Sequence, residues 1–140
     1  MKISRDWPRR AALLAINLLF LMIWGFTGLG KLAQGKPAWF ADKFGNTVLA
    51  RFPGLDATFW LLALGETFAF ALALLALARA EFLKSAEPVI LRWMLVWSLF
   101  IFIQLGFGQW LTSDFNSTVQ LFTYFAGVLL CLQFTEGKAG

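Results

Sequence analysis

Histidine is absent from this chain of 140 residues, and cysteine occurs once. Without histidine there are no paired imidazoles for haem, no His-based zinc site and no imidazole general base. Because Cys131 has no second thiol, it cannot form an intramolecular disulfide or a Cys-x-x-Cys redox pair. The sequence therefore predicts no metal site and no intrinsic cofactor, and it identifies no catalytic residue.

Charged residues are also scarce, at 14% of the chain, whereas 59% of the residues are hydrophobic and 17% are aromatic. Soluble domains carry about 25% charged residues, and a protein of this size could not bury so much apolar surface. The composition predicts a small all-α membrane protein whose main partner is the lipid bilayer. Membrane topology and anionic headgroups explain the net charge of +4, so we expect no nucleic-acid partner.

Four segments are long enough to cross a hydrocarbon layer, which needs roughly 20 apolar residues per helix. They cover residues 11–30, 57–78, 93–111 and 115–134, and Glu66 is the only charged residue in them. The basic start resembles a signal peptide, but the apolar run is too long and ends without an Ala-x-Ala site. We therefore expect a retained first helix and one transmembrane domain over residues 1–140, a polytopic four-helix bundle.

Basic residues near the helix ends predict the orientation, because Lys and Arg resist translocation. Four helices place both termini on one side, and eight of the twelve basic residues fall there: Lys2, Arg5, Arg9, Arg10, Arg79, Lys84, Arg92 and Lys138. The other four lie in the first loop: Lys31, Lys36, Lys43 and Arg51. We expect a multi-pass protein of the cytoplasmic (inner) membrane with both termini in the cytoplasm.

The first loop is too long for a simple turn and too aromatic for a solvated linker. Phe40, Phe44 and Val48 recur every four residues after Pro37, which is favourable in a first helical turn. The pattern predicts an amphipathic interfacial helix over residues 37–51. This helix either caps the bundle or forms a lid or lateral gate over a site between the helices.

Glu66 is expected near the bilayer midplane, where a bare charge costs about 2.5 to 3.5 kcal/mol on insertion scales. Lys31 ends the first helix on the loop side, and its long side chain can reach into the bundle. We predict an ion pair or a water-bridged contact between Lys31 and Glu66. The alternative is a protonated Glu66, because desolvation favours the neutral carboxyl group.

Other polar groups at membrane depth concentrate in the half of the bundle next to the first loop, namely Gln104, Gln109, Gln120, Thr123 and Tyr124. One interpretation is a polar funnel with Glu66 at its floor and Trp24, Phe68 and Phe107 as aromatic walls. The other is a set of interhelical hydrogen bonds, worth roughly 0.6 kcal/mol each. For a ligand pocket or ion pair, the candidate residues are Lys31, Glu66, Gln104, Gln120 and Tyr124.

The chain resembles the DoxX and MauE-like membrane proteins in the Gly28-Leu29-Gly30-Lys31 ending of the first helix. A long aromatic loop and Leu64-Gly65-Glu66 in the second helix extend the resemblance. It implies a four-helix membrane protein linked to redox systems, including thiosulfate:quinone oxidoreductase, oxidative-stress complexes and methylamine-dehydrogenase maturation. Lys31 and Glu66 are the two residues that correspond to positions of the family motif.

Three functions are consistent with these features. The first is an accessory or anchoring subunit of a redox or maturation complex, with a quinone or lipid pocket near Glu66. Its electrons would come from a membrane or peripheral protein partner, because the chain has no flavin fingerprint or metal ligands. The second is a small transporter or channel with Glu66 as a proton or cation site. The third is a structural scaffold in a larger membrane assembly.

Overall fold

The computed structural model describes residues 6–84 and 86–137, and within these ranges it is helical with no strand. The helices are α1 (Trp7–Gln34, with a π-helical turn at Gly25–Leu29), α2 (Ala38–Phe44), α3 (Val48–Arg51), α4 (Leu55–Ala78), α5 (Val89–Leu111) and α6 (Phe115–Glu136). Among them, α1, α4, α5 and α6 are long and apolar enough to cross a membrane. The predicted all-α fold with four membrane-spanning helices is confirmed. Three basic residues used to predict the orientation, Lys2, Arg5 and Lys138, lie outside the described residues.

α1 is longer at both ends than the sequence predicted. Pro8 occupies its first turn, where the missing N–H costs no hydrogen bond. The helix continues to Gln34 and ends at Gly35, whose φ of +71° suits glycine. Lys31 therefore lies within the last turn of a helix and not in the loop, and this fixes the direction in which its side chain leaves the backbone.

The predicted interfacial helix is two short helices, α2 and α3, separated by a turn at residues 45–47. Glycine and asparagine in this turn have poor helix propensity, and the Thr47 hydroxyl donates to the Phe44 carbonyl at 2.7 Å. Phe40 and Phe44 are buried against Phe59 of α4, as the amphipathic pattern indicated. Val48 is 54% exposed and does not continue that buried face.

The four long helices pack in chain order, α1 on α4, α4 on α5 and α5 on α6. Small residues of α4 form the centre of the bundle, and Ala69, Ala73 and Ala76 are fully buried there. Apolar helices gain little from association in lipid, so small residues that permit close backbone approach mark the contacts. The small residues Ala69 and Ala73 of α4 thus pack against the neighbouring helices.

The half of the bundle nearest the termini contains buried polar groups that the sequence did not indicate, among them Asn17 and Glu81. Asn17 is 1% exposed, and its amide donates to the Ala73 carbonyl and accepts from the Leu77 N–H in the orientation that satisfies both groups. Glu81 is 5% exposed, and its carboxylate accepts from the backbone N–H groups of Ile90 and Leu91 at the start of α5. Asn17 thereby satisfies its own buried amide, and Glu81 accepts from N–H groups of the first turn of α5 that have no partner within that helix.

Candidate functional site

Lys31 and Glu66 form the predicted ion pair, with the Lys31 Nζ 2.8 Å from the Glu66 Oε2. Glu66 is the twelfth of the 24 residues in α4, so it lies midway along that helix. The two side chains differ in burial, because Lys31 is 27% exposed and Glu66 only 2%. A charge at this depth needs a partner, and Lys31 supplies it from the last turn of α1.

The close approach of α1 to α4 brings this pair together. At Gly28, a Cβ atom would lie 2.8 Å from the Thr67 backbone nitrogen and 3.0 Å from the Glu66 carbonyl carbon. Only glycine allows the two backbones to pack this closely. Gly28 also belongs to the π-helical turn of α1, and such turns are rare and occur frequently at functional sites. The turn was not predicted, because glycines within an apolar segment indicate close packing more often than a change of helix type.

A cavity of about 600 Å³ adjoins the ion pair in the half of the bundle next to the first loop. α1, α4 and α5 supply three sides, and α2 lies across it. Its aromatic lining residues are Phe26, Trp39, Phe40, Phe44 and Phe59. Its lining residues with amide or ammonium groups are Lys31, Gln34, Lys43, Gln104 and Gln109. We call this space the aromatic cavity.

Glu66 is absent from the described lining of the aromatic cavity, whereas Lys31 is part of it. The sequence predicted Glu66 at the floor of a polar funnel, and this was wrong for the aromatic cavity. Lys31 lines the cavity, whereas Glu66 lies behind Lys31. The physical reason is the tight contact at Gly28, which covers Glu66 with the backbone of α1. The cavity wall consequently carries cationic and amide groups, and its described lining includes no carboxylate.

Lys43 lines the aromatic cavity, although the sequence identified it only as a basic residue of the first loop. Its Nζ lies 2.6 Å from the Gln109 Oε1 and 3.3 Å from the Asp114 Oδ2. Hydrogen bonds from the Ser117 hydroxyl and backbone N–H, together with Lys43, lower the pKa of Asp114 below its usual value. Asp114 therefore stays anionic opposite Lys43. These contacts attach α2 to the end of α5, and no local pattern in the sequence indicates them.

The structure brings together some of the predicted site residues and separates others. Gln104 lines the aromatic cavity with Lys31. The side-chain amide of Gln104 makes no hydrogen bond to another residue in the described part of the chain. Gln120 and Tyr124 lie on the exposed surface of α6, and no described residue of α6 lines the cavity. Tyr124 is 54% exposed, and its ring packs 5.9 Å from that of Phe102. The predicted site residues therefore fall into two groups, because α6, which carries Gln120 and Tyr124, packs along α5 and away from the cavity.

The aromatic walls are also different from those predicted. Trp24 is 1% exposed in the bundle core, where its indole N–H donates to the Ser98 hydroxyl at 2.9 Å. Phe68 and Phe107 are about half exposed on the outside of the bundle. The rings that line the cavity come mostly from the first loop and the adjoining helix ends. The sequence signal that could have located them was the Phe40 and Phe44 pair on the buried face of the loop.

Comparison with known proteins does not place this chain in a family. No family model matches it, and neither the curated proteins nor the solved structures contain a match. The geometry of the aromatic cavity and the Lys31–Glu66 pair is therefore the basis on which a function is proposed.

Proposed function

We propose that this chain is a non-catalytic membrane subunit that binds a quinone in the aromatic cavity and presents it to a redox partner. The observation that carries the proposal is the lining of the cavity, which combines aromatic rings with ammonium and amide donors around one space. The resemblance to DoxX and MauE-like proteins supports the same role. The proposal includes a membrane or peripheral partner that supplies the electrons.

The polar groups of the cavity suit a headgroup that accepts hydrogen bonds. An ammonium group carries three donors, and the Lys31 Nζ has one of them directed to Glu66. The remaining donors, with the amide of Gln104, are available to the carbonyl oxygens of a quinone ring. Gln109 accepts from Lys43 through its oxygen, so its NH₂ group is a further donor.

The apolar walls suit the ring and its tail. Aromatic side chains favour offset or edge-to-face contact with a second ring; Phe40 packs edge-to-face on Phe59 and at a tilt of 47° on Phe44. Phe26 lines the cavity and is 78% exposed. This exposure supports a mouth beside Phe26, through which a hydrophobic tail would enter from the bilayer.

The tightly packed core of the bundle favours ligand binding over conduction of protons or cations. Beyond Glu66 toward the termini, the core contains Ala69, Ala73 and Ala76 from α4 with Met94 and Leu95 from α5, all of them fully buried. A proton or cation pathway needs polar groups open to water at this depth, whereas the polar side chains buried there, among them Asn17, Ser98 and Glu81, hydrogen bond within the bundle. The aromatic cavity is therefore a binding pocket in this proposal, entered from the half of the bundle next to the first loop.

We also propose the cytoplasmic membrane as the location, with both termini in the cytoplasm. Only four of the twelve basic residues, Lys31, Lys36, Lys43 and Arg51, belong to the loop half. Arg9, Arg10, Arg79, Lys84 and Arg92 lie toward the termini. This distribution supports the positive-inside orientation.

Filling the cavity tests quinone binding. A Cβ atom at Gly30 meets no other atom within 4 Å, and Gly30 lines the cavity. We expect Gly30→Trp to occupy the space of the headgroup and to weaken binding of a decyl-chain benzoquinone by about tenfold or more. Equilibrium dialysis of the purified protein in mild detergent measures this change.

Gly106→Trp is the matched control for this experiment. Gly106 also has open space around its Cβ position, and it lies on α5 outside the cavity lining. We expect Gly106→Trp to bind the benzoquinone like the unsubstituted protein. Equal binding by all three proteins, or no binding by any of them, would contradict a quinone site in the aromatic cavity.

Transport through Glu66 predicts a different result. If Glu66 were a proton or cation site, Glu66→Gln would abolish a proton-coupled flux in proteoliposomes. We expect no flux above that of empty liposomes, with or without the substitution, because the polar side chains buried beyond Glu66 make hydrogen bonds within the bundle. A flux that Glu66→Gln abolishes would replace the quinone-binding proposal with transport.

A further inference from the structure

A second concave surface lies on the outside of the bundle between α4 and α5. Its volume is about 530 Å³, and every described lining residue is apolar: Phe68, Leu72, Leu75, Ile90, Trp93, Val96, Trp97 and Phe100. None of them lines the aromatic cavity. We call this surface the α4–α5 groove.

Two contacts fix the shape of the groove. The Trp97 indole N–H donates to the Gly65 carbonyl at 2.9 Å. The Phe68 ring packs edge-to-face on Trp97 with 5.1 Å between the ring centroids. Helices that associate in membranes usually meet through small residues, whereas this groove is bordered by large rings. A flexible acyl chain fits between such rings better than a second helix does.

A basic residue follows the groove at the end nearest the termini. Phe68, Leu72, Leu75 and Arg79 have the spacing i, i+4, i+7 and i+11, which places them on one face of a helix. Arg79 keeps helical dihedral angles, with φ at −81° and ψ at 0°. Trp93 is 64% exposed at the same end of the groove, as expected for a tryptophan at a membrane interface.

No residue in the described part of the chain neutralises the charge of Arg79. Within residues 6–84 and 86–137, no carboxylate pairs with its guanidinium group. Arg92 differs, because Glu87 and Glu136 both bind it. Arginine binds phosphate through two parallel hydrogen bonds, so the exposed Arg79 is complementary to an anionic headgroup.

We propose that the α4–α5 groove binds an anionic phospholipid, with one acyl chain between α4 and α5 and the headgroup phosphate on Arg79. The groove supplies the apolar contact, and the arginine supplies the preference for net negative charge. This site is separate from the aromatic cavity and does not depend on the quinone proposal.

Native mass spectrometry of the full chain tests the site. The delipidated protein is mixed in mild detergent with equal amounts of dioleoyl phosphatidylglycerol and dioleoyl phosphatidylcholine. We expect the protein to retain phosphatidylglycerol in preference. Arg79→Gln is expected to lower the ratio of bound phosphatidylglycerol to phosphatidylcholine about fivefold, the effect of one basic residue near an anionic headgroup. Leu72→Trp fills the groove and is expected to reduce the retention of both lipids.

Two variants control for nonspecific effects. Arg51→Gln removes an exposed arginine at the opposite end of the bundle and is expected to leave the lipid ratio unchanged. Leu130→Trp places the same ring on α6, where Leu130 is 67% exposed. An unchanged ratio for Arg79→Gln, an equal fall for Arg51→Gln, or equal lipid retention by Leu72→Trp and Leu130→Trp would overturn the proposal.

Discussion

Lys31→Met is expected to destabilise the protein more than any other single change to the ion pair. It leaves Glu66 without a cation at the middle of α4, where the carboxylate side chain is only 2% exposed. An unpaired charge at this depth costs about 2.5 to 3.5 kcal/mol on insertion scales. We expect a clear fall in the thermal midpoint of the detergent-solubilised protein, followed as the fraction that stays monodisperse after heating.

Glu66→Leu is expected to cost less, although it breaks the same contact. The remaining Lys31 is 27% exposed and lines the aromatic cavity, so its ammonium group keeps access to water. The ranking of the two single variants therefore follows from the unequal burial of the two partners. A larger loss for Glu66→Leu than for Lys31→Met would contradict it.

The double variant Lys31→Met with Glu66→Leu separates pairing from packing. Replacing both members of a buried ion pair with apolar residues of similar volume is often neutral or stabilising. We expect the double variant to recover most of the stability lost by Lys31→Met, which would appear as a coupling energy in the mutant cycle. Losses that simply add would show that the two residues stabilise the bundle independently.

Gly28→Ala is expected to have the second large effect, through a steric clash. The added methyl group would lie 2.8 Å from the Thr67 nitrogen and 3.0 Å from the Glu66 carbonyl carbon. These are backbone atoms within α4 and cannot rotate away, so α1 must shift outward. Overpacking of this kind costs about 1 to 3 kcal/mol, and the shift also lengthens the Lys31–Glu66 contact. The thermal midpoint and the amount of protein accumulated in the membrane both report the effect.

Gly30→Ala is the matched control, because Gly30 is two residues further along α1 and its Cβ position is open. We expect its stability to equal or exceed that of the unsubstituted protein, since alanine is favoured over glycine in a helix by about 1 kcal/mol. Equal stability of Gly28→Ala and Gly30→Ala would show that the close approach of α1 and α4 does not hold the bundle together.

These experiments also separate the structural role of the pair from its proposed binding role. Gly30→Trp is expected to fill the cavity and leave the contact at Gly28 intact, because the Cβ position of Gly30 is open, so its main effect should be on quinone binding. Gly28→Ala acts on the helix contact that positions Lys31 at the cavity wall. If Gly28→Ala lowered stability while Gly30→Trp left quinone binding intact, the pair would have a structural role and the ligand site would lie elsewhere.

The sequence by itself determined that the chain forms four membrane-spanning helices, and it identified Lys31 as the candidate partner of Glu66. Transfer into lipid is a sum over the residues of one segment, so the positions of the spans follow from local composition. The choice of partner follows from the scarcity of charged residues. Glu66 is the only charged residue within the four predicted spans, and Lys31 directly follows the span before it. Neither conclusion required knowledge of which helix faces meet.

Only the tertiary structure decided how the polar residues divide among the cavity, the core and the outer surface. Gln104 and Lys43 line the aromatic cavity, whereas Gln120 and Tyr124 are exposed on α6. The physical reason is that burial of a side chain depends on which remote helices lie beside it. In an almost uniformly apolar chain, the hydrophobic pattern of one helix does not encode that choice. Contacts such as the backbone approach at Gly28 fix it, and they exist only once the helices have packed.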